Sequence, residues 1–230
     1  MSHKLALLSE IFKIISLASK ELNIQSYVIG GFVRDFLLKR GTAKDIDIVA
    51  VGSGIELAQK VAELLPNKPK VQVFKTYGTA MLRYKDVEVE FVGARKESYT
   101  EDSRNPAVIE GTLEDDQNRR DFTINALALS LNETDYGELL DPFQGIKALE
   151  GKIIKTPLNP DVTYSDDPLR MMRAIRFSSQ LNFTIEEESL LAISRNAHRL
   201  KIITLERVID ELNKIIASPK PSIGFLLLEQ

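Results

Sequence analysis

The sequence predicts an α+β fold, a strand-bearing first half with helices at its flanks, followed by an all-helical C-terminal part. Two observations carry this expectation. Over the first half the hydrophobic period switches repeatedly between helical and alternating, and beyond residue 157 every apolar pattern is helical.

Residues 5–22 carry an apolar face interrupted by Glu10 and Lys13, which makes them an amphipathic helix and not a secretory core. A short β run at 26–29 hands over to a helix opening at Gly31. Residues 45–51 alternate as a strand, and 55–65 are helical. Next come a β run at 71–74 and a hairpin pattern, 79–84 and 87–92, joined by Lys85-Asp86, a two-residue turn without glycine. Residues 93–118 are polar, lack an apolar period and contain Asn105-Pro106, so a long surface loop is expected there. The Asp141-Pro142 turn leads to a strand over 151–155. Pro157, Asn159 and Pro160 mark a boundary near 156, dividing the chain into 1–156 and 157–230. The helices expected beyond it cover 168–181, 186–196 and 204–217, with a fresh start at Ser222.

Composition narrows the chemistry. The 230 residues are long enough for one or two domains with real cores. With no cysteine and two histidines, disulfide-linked partners, Cys or Cys/His zinc sites and thiol nucleophiles are excluded, so any metal must be held mainly by oxygen. His3 and His198 read as surface residues without a role. Net charge is −3 overall, −4 over residues 1–150 and +1 over 151–230, so a polyanion partner would need a local basic surface. No stretch approaches the roughly 18 uncharged apolar residues of a membrane span. The lack of cysteine fits a reducing compartment, and cytoplasm is the default.

Three motifs carry chemistry. Gly30-Gly31-Phe32-Val33-Arg34-Asp35 sits where a β run becomes a helix, where backbone N–H groups can approach a phosphate and Arg34 can reach the same anion; paired glycines there also serve a plain backbone requirement. In Asp45-Ile46-Asp47-Ile48 the two carboxylates share one face of a strand while the isoleucines bury on the other. Adjacent like charges repel, so the pair calls for a cation unless the strand simply faces solvent. Glu88 and Glu90 repeat the pattern on the later hairpin, and carboxylates with little histidine suit Mg²⁺. Asp166-Asp167-Pro168 opens a helix on which Arg170, Arg173 and Arg176 fall on one arc, opposite Met171, Met172, Ala174 and Ile175. Three unpaired arginines there would need an anion, or would form a solvated face behind a capping aspartate.

Together these segments resemble the class II tRNA nucleotidyltransferases (CCA-adding enzymes) and bacterial poly(A) polymerases of the polymerase-β-like superfamily. GGFVRD with DIDIVAVG is similar to the family's first motif and RRDFTINALAL (119–129) to its second. DPFQGIKALEGKIIKT (141–156) is similar to the third, DDPLRMMRAIRF to the fourth and LERVIDELNKII (205–216) to the fifth, in family order. The resemblance implies a polymerase-β-like catalytic head with a mixed sheet, residues 1–156, and a helical neck, residues 157–230. It implies Mg²⁺ on Asp45, Asp47 and Glu90, with Glu88 the less favoured third carboxylate. It places Gly30, Gly31 and Arg34 at nucleotide phosphates, and Arg120 and Asp121 near the ribose and triphosphate with Asn125 supporting them.

The fourth motif has its own logic. Cytosine and adenine each present an amine donor beside a ring-nitrogen acceptor, so Asp167 can accept and Arg170 donate to either base. Guanine and uracil reverse that pattern, at about 1–3 kcal/mol per unsatisfied buried group. Arg173 and Arg176, further along the same face, would meet phosphate or orient Asp167. Where the family usually has Glu-Asp this chain has Asp166-Asp167, which leaves the pairing residue intact and shortens its support. Family members continue into helical body and tail domains, whereas this chain stops at Gln230 just inside an apolar run, 223–228. A head-plus-neck portion with weak tRNA binding is therefore expected.

The function so implied is template-independent addition of CMP and AMP from CTP and ATP to the tRNA 3′ end. An A-adding enzyme or poly(A) polymerase of the same family is the nearest rival, and a silent RNA- or nucleotide-binding module is a rival of another class. After DIDIVAVGSG the chain shows no run of basic and aromatic residues of the kind poly(A) polymerases carry, which tilts against that rival, and intact DxD and RRD motifs tilt against the silent module.

Overall fold

A computed structural model describes residues 3–41, 45–100 and 103–229. The chain divides into two compact units. The first comprises Met1–Lys96, Ile109–Gln117 and Asn125–Pro142; the second comprises Glu97–Val108, Asn118–Ile124 and Phe143–Gln230.

In chain order the first elements are α1 (Glu10–Leu22), β1 (Gln25–Ile29), α2 (Gly31–Leu37), β2 (Asp45–Val51) and α3 (Gly54–Leu64). They are followed by β3 (Gln72–Phe74), β4 (Thr79–Tyr84), β5 (Val87–Gly93), β6 (Arg95–Thr100), β7 (Ser103–Glu110) and α4 (Leu113–Asn118). β8 (Ala128–Ser130) and β9 (Leu139–Leu140) complete a seven-stranded sheet of order β3-β4-β5-β2-β1-β8-β9. Every pairing in it is antiparallel except β2 with β5, so the sheet is mixed.

Strand alternation decides which face is which. Ile46 and Ile48 of β2 and Val89 and Phe91 of β5 are buried, on the face that α3 covers, with α1 packed on α3 and β1. Each such side chain contributes about 1.5–3 kcal/mol by leaving water. A one-residue slip of β2 would push Asp45 and Asp47 into that core, so burial of the isoleucines fixes the register of the acids. The opposite face carries Asp45, Asp47, Glu88 and Glu90, and beside them a smaller cluster of Tyr27, Ile29, Val49, Ala94 and Ala128.

The expected helix over 5–22 is divided: a 3-10 turn at Lys4–Leu7 precedes α1, because Ser9 adopts an extended conformation. The expected loop over 93–118 is instead the β6–β7 hairpin and α4, with its residues 101 and 102 outside the described part. A two-stranded ribbon need not bury one face, so it shows no apolar period. The start of α4 was nonetheless written in the sequence as Thr112-x-x-Asp115. Asp115 Oδ2 accepts from Thr112 N (2.9 Å) and Oγ1 (2.8 Å), while Thr112 Oγ1 accepts from Asp115 N (3.2 Å). Those bonds hold the Asp115 carboxyl below its ordinary value.

The second unit contains α5 (Gly145–Gly151), β10 (Ile153–Ile154), α6 (Pro160–Asp166), α7 (Leu169–Leu181), β11 (Thr184–Ile185), α8 (Glu187–Asn196), α9 (Leu205–Ile216) and α10 (Pro221–Leu228). The Asn159-Pro160 pair, read as a boundary, starts α6: Asn159 Oδ1 accepts from Asp161 N (2.8 Å) and Val162 N (3.3 Å), with proline in the first turn. α7 packs against α9 and α10, and α6 against α8. Gly224 is required by contact: a Cβ there would sit 2.4 Å from Ile215 Cγ2 and 2.6 Å from Ser179 Oγ. Among the described residues no helix is long and apolar enough to cross a membrane.

Candidate active site

In the first unit, the parallel register of β2 and β5 sets Asp45 beside Glu88 and Asp47 beside Glu90. Four carboxylates from two strands thus occupy two successive rungs of one sheet face; Asp47 is half-buried and the other three are exposed. Four like charges so close are mutually destabilising, and a cation relieves them. Among the described residues no three His, Cys, Asp or Glu side chains converge tightly enough to enclose an ion by themselves. Such a face offers only carboxylate oxygen, the donor type of hard divalent cations that complete their shell with water and phosphate.

The β1–α2 turn lies on the same sheet. Gly30 has φ 80° and ψ −132°, a conformation open only to glycine, and its N–H donates to Leu127 O (3.2 Å). The buried Arg34 was expected to reach an anion. Its Nε and Nη2 donate to the Asp35 carboxylate (both 2.9 Å) and its Nη1 to Asn125 Oδ1 (2.7 Å). Two predicted site residues, Arg34 and Asn125, are therefore joined directly, across 91 positions of sequence. Gly31 begins α2, and a Cβ on it would lie 3.6 Å from Arg34 Nη2.

The second unit holds the remaining predicted residues: Arg120, Asp121, Asp167, Arg170, Arg173 and Arg176. Here the expectation of three unpaired arginines is corrected. Arg170, 9% exposed, donates Nη2 to Arg119 O (2.8 Å) and Nη1 to Thr163 O (3.4 Å). Arg173 donates Nε and Nη2 to Asp121 Oδ2 (2.7 and 2.6 Å), and Asp121 above all raises the Arg173 pKa. Arg176 Nε lies 2.8 Å from Glu211 Oε2, with its guanidinium 4.3 Å from the centre of the Phe177 ring. The arginine arc therefore faces protein oxygen. A helical wheel gives the arc but not what lies opposite it.

Asp121 is buried and also accepts from Phe122 N (2.9 Å) through Oδ1, so the RRD turn is fixed to α7 by Arg119 O and Asp121 together. Arg120 is half-buried. Asp167 is half-buried at the start of α7, its Oδ1 accepting from Leu169 N (3.2 Å). Burial is the main cause that raises the neighbouring Asp166 carboxyl above its ordinary value, against the lowering by Arg170 and Arg199.

Three supporting residues escaped the sequence reading. Glu211 is buried and also pairs with Lys214 (3.0 Å); its signal was an acid four residues before the buried Ile215 on α9. Arg199 donates Nε and Nη2 to Ser165 O (3.2 and 3.0 Å), holding the end of α6 that leads into Asp166-Asp167. Glu97 on β6 pairs with Arg119 (3.2 Å), a link between expected loop and motif that no local pattern reveals.

The family model described as "Poly A polymerase head domain" matches residues 26–155, more than half of the chain. The chain belongs to the poly(A) polymerase head-domain family. A second model, "Probable RNA and SrmB- binding site of polymerase A", matches residues 182–230. Within the family, an A-adding tRNA nucleotidyltransferase of Aquifex aeolicus is 40% identical over 191 residues, covering 82% of this chain and 23% of that protein. A CCA-adding enzyme of Anoxybacillus flavithermus is 38% identical over 206 residues, covering 89% of this chain and 49% of its own length. The chain thus spans half or less of these relatives. A solved CCA-adding enzyme in complex with CTP superposes with a TM-score of 0.84 at 31% identity, covering 99% of this chain and 52% of that one. Another, a tRNA nucleotidyltransferase with a primer tRNA and an incoming ATP analogue, gives 0.79 at 33% identity over 94% and 58%. The expected family and the α+β fold, a mixed-sheet head with a helical neck, are both met. The poly(A) polymerase head family works with a divalent metal, and the carboxylate face of β2 and β5 has the oxygen donors for one.

Proposed function

We propose that the chain carries the catalytic head (residues 1–156) and neck (157–230) of a nucleotidyltransferase that adds CMP and AMP from CTP and ATP to the 3′ end of tRNA. The observation that carries this is the parallel register placing Asp45 and Asp47 beside Glu88 and Glu90, on the sheet whose β1–α2 turn leads into Arg34, which donates to Asn125 Oδ1. In the reaction the RNA 3′-hydroxyl oxygen bonds to the α-phosphorus, the bond to the bridging oxygen breaks, and pyrophosphate leaves. Asp45, Asp47 and Glu90 would hold Mg²⁺, which when bound supplies activation of the hydroxyl and charge relief at the leaving group. Glu90 is preferred to Glu88 because it neighbours the half-buried Asp47.

Gly30, Gly31 and Arg34 position nucleotide phosphates, and Arg120 and Asp121 the ribose and triphosphate, with Asn125 supporting them. Asp167 and Arg170 read the base edge; two backbone carbonyls engage two of the five guanidinium N–H donors of Arg170, leaving donors for a ring nitrogen. Arg173 and Arg176 hold α7 in place through Asp121 and Glu211. Cytoplasm, where tRNA and nucleoside triphosphates meet, is the compartment assigned.

The test is incubation with tRNA lacking its 3′ end, Mg²⁺ and each labelled nucleotide in turn. Incorporation from CTP and then ATP, with none from GTP or UTP, is expected; equal binding of all four nucleotides would refute the Asp167/Arg170 reading. Incorporation from ATP alone would overturn CCA addition in favour of A addition, the activity in the name of the Aquifex aeolicus relative.

A further inference from the structure

We infer that the β3–β4 edge of the sheet is a track for single-stranded RNA, on which Phe74 and Tyr77 stack bases upstream of the reacting 3′ end. The inference rests on the transferase reading above. A cavity of about 380 Å³ is lined by Phe74, Tyr77, Thr79, Glu90, Val92 and Arg95. Strand register puts it on the carboxylate face: Phe74 pairs with Thr79, Thr79 with Val92, and the next rung holds Met81, Glu90 and Asp47. β3 is the edge strand, and the two aromatic side chains at this edge stand in water, Phe74 at 43% and Tyr77 at 69% exposure. One exposed ring is unremarkable, but two in a cavity that ends at a predicted metal-binding carboxylate call for a flat apolar ligand.

Charge selects that ligand. Between Glu63 and Asp86 the chain has no acid and five bases, Lys68, Lys70, Lys75, Arg83 and Lys85, all exposed, in a protein of net charge −3. Of these, Lys75 lies between Phe74 and Tyr77 in sequence, and a further base, Arg95, lines the cavity itself and donates Nη1 to Tyr77 O (3.5 Å). Cations beside stacking rings fit phosphates and bases of a single strand, whose every base has a π-face. Strands lie ~4.8 Å apart, so β3 stands ~10 Å from β5, about three stacked nucleotides at ~3.4 Å each. The rings would thus hold bases a few positions before the terminal hydroxyl.

The chain has no tryptophan, so Tyr77→Trp places a unique fluorophore in the cavity, and Leu5→Trp, at a remote exposed position, is the control. Titration with a short single-stranded RNA should quench the indole of the Tyr77→Trp chain and not that of the Leu5→Trp chain, and quenching should weaken steeply with salt. Phe74→Ala and Tyr77→Ala should each weaken RNA affinity by about tenfold, leaving CTP affinity unchanged. Equal quenching by a strand of the same length lacking bases, or unchanged RNA affinity in the double Ala variant, would overturn the stacking site. If RNA quenches the Tyr77→Trp chain while the unsubstituted chain incorporates no nucleotide, the transferase reading fails and the track stands.

Discussion

Asp121→Asn should loosen the RRD turn from α7, and the size of the effect follows from the contacts. Asp121 is 7% exposed and accepts from Phe122 N–H and from both Nε and Nη2 of Arg173, whose side chain is 35% exposed. Asparagine removes the charge and turns one acceptor into an NH₂, which then faces either the Phe122 N–H or the guanidinium. Breaking a buried pair costs about 3–5 kcal/mol, and the partial exposure of Arg173 lowers that to ~2–3 kcal/mol. For a chain of this size the melting temperature should fall by about 5–10 °C. Circular dichroism of wild type, Asp121→Asn, Arg173→Met and the double variant forms a cycle in which the two changes couple by at least ~1 kcal/mol. Additivity within ~0.5 kcal/mol would show that the 2.6 Å contact carries no net stability and that something else fixes the turn.

Gly224→Ala should destabilise the chain by about 1–3 kcal/mol in urea denaturation, because its Cβ meets Ile215 and Ser179; an unchanged midpoint would mean that α10 shifts without cost. Asp45→Ala should abolish nucleotide transfer and leave the far-ultraviolet spectrum and melting temperature unchanged or higher, since it removes a repulsion together with a proposed ligand; retained transfer would exclude Asp45 from the site. Asp166 has a folded pKa raised above 3.8, mainly by burial, so the native state binds its proton more tightly and the carboxylate's cost appears as pH rises through that window. Asp166→Asn should therefore stabilise the chain at neutral pH and give no gain below pH 3.8, read from paired denaturation curves.

Much of the first unit was legible because burial on one face forces alternation: Ile46 and Ile48 mark the core side of β2, and so place Asp45 and Asp47 on the other. Register between strands was not legible, since nothing local says that β5 lies parallel to β2 and sets Glu90 beside Asp47. Lys85, at φ 56°, forms the hairpin turn without glycine, as expected there. The β6–β7 hairpin is not legible because its sequence shows no apolar alternation, and α6 is not because Asn159-Pro160 serves equally as a turn signal and a helix start. The arginine arc of α7 was seen and its partners were not, because Asp121 and Glu211 lie 52 and 35 positions away from Arg173 and Arg176.

The parallel pairing of β2 with β5 also bears on the order in which the molecule becomes competent. Parallel neighbours cannot be joined by a tight turn, and here α3, β3 and β4 intervene before the second pair of acids arrives. The loop entropy of that crossover must be met before Asp47 and Glu90 gain anything from adjacency. An unfinished chain, or one unfolded between β2 and β5, presents two separate acidic strands and no cation site. A divalent ion held by the proposed ligands would then favour only molecules with the sheet completed, stabilising them by RT ln(1 + [ion]/Kd), so that the melting point would climb with the logarithm of ion concentration above Kd.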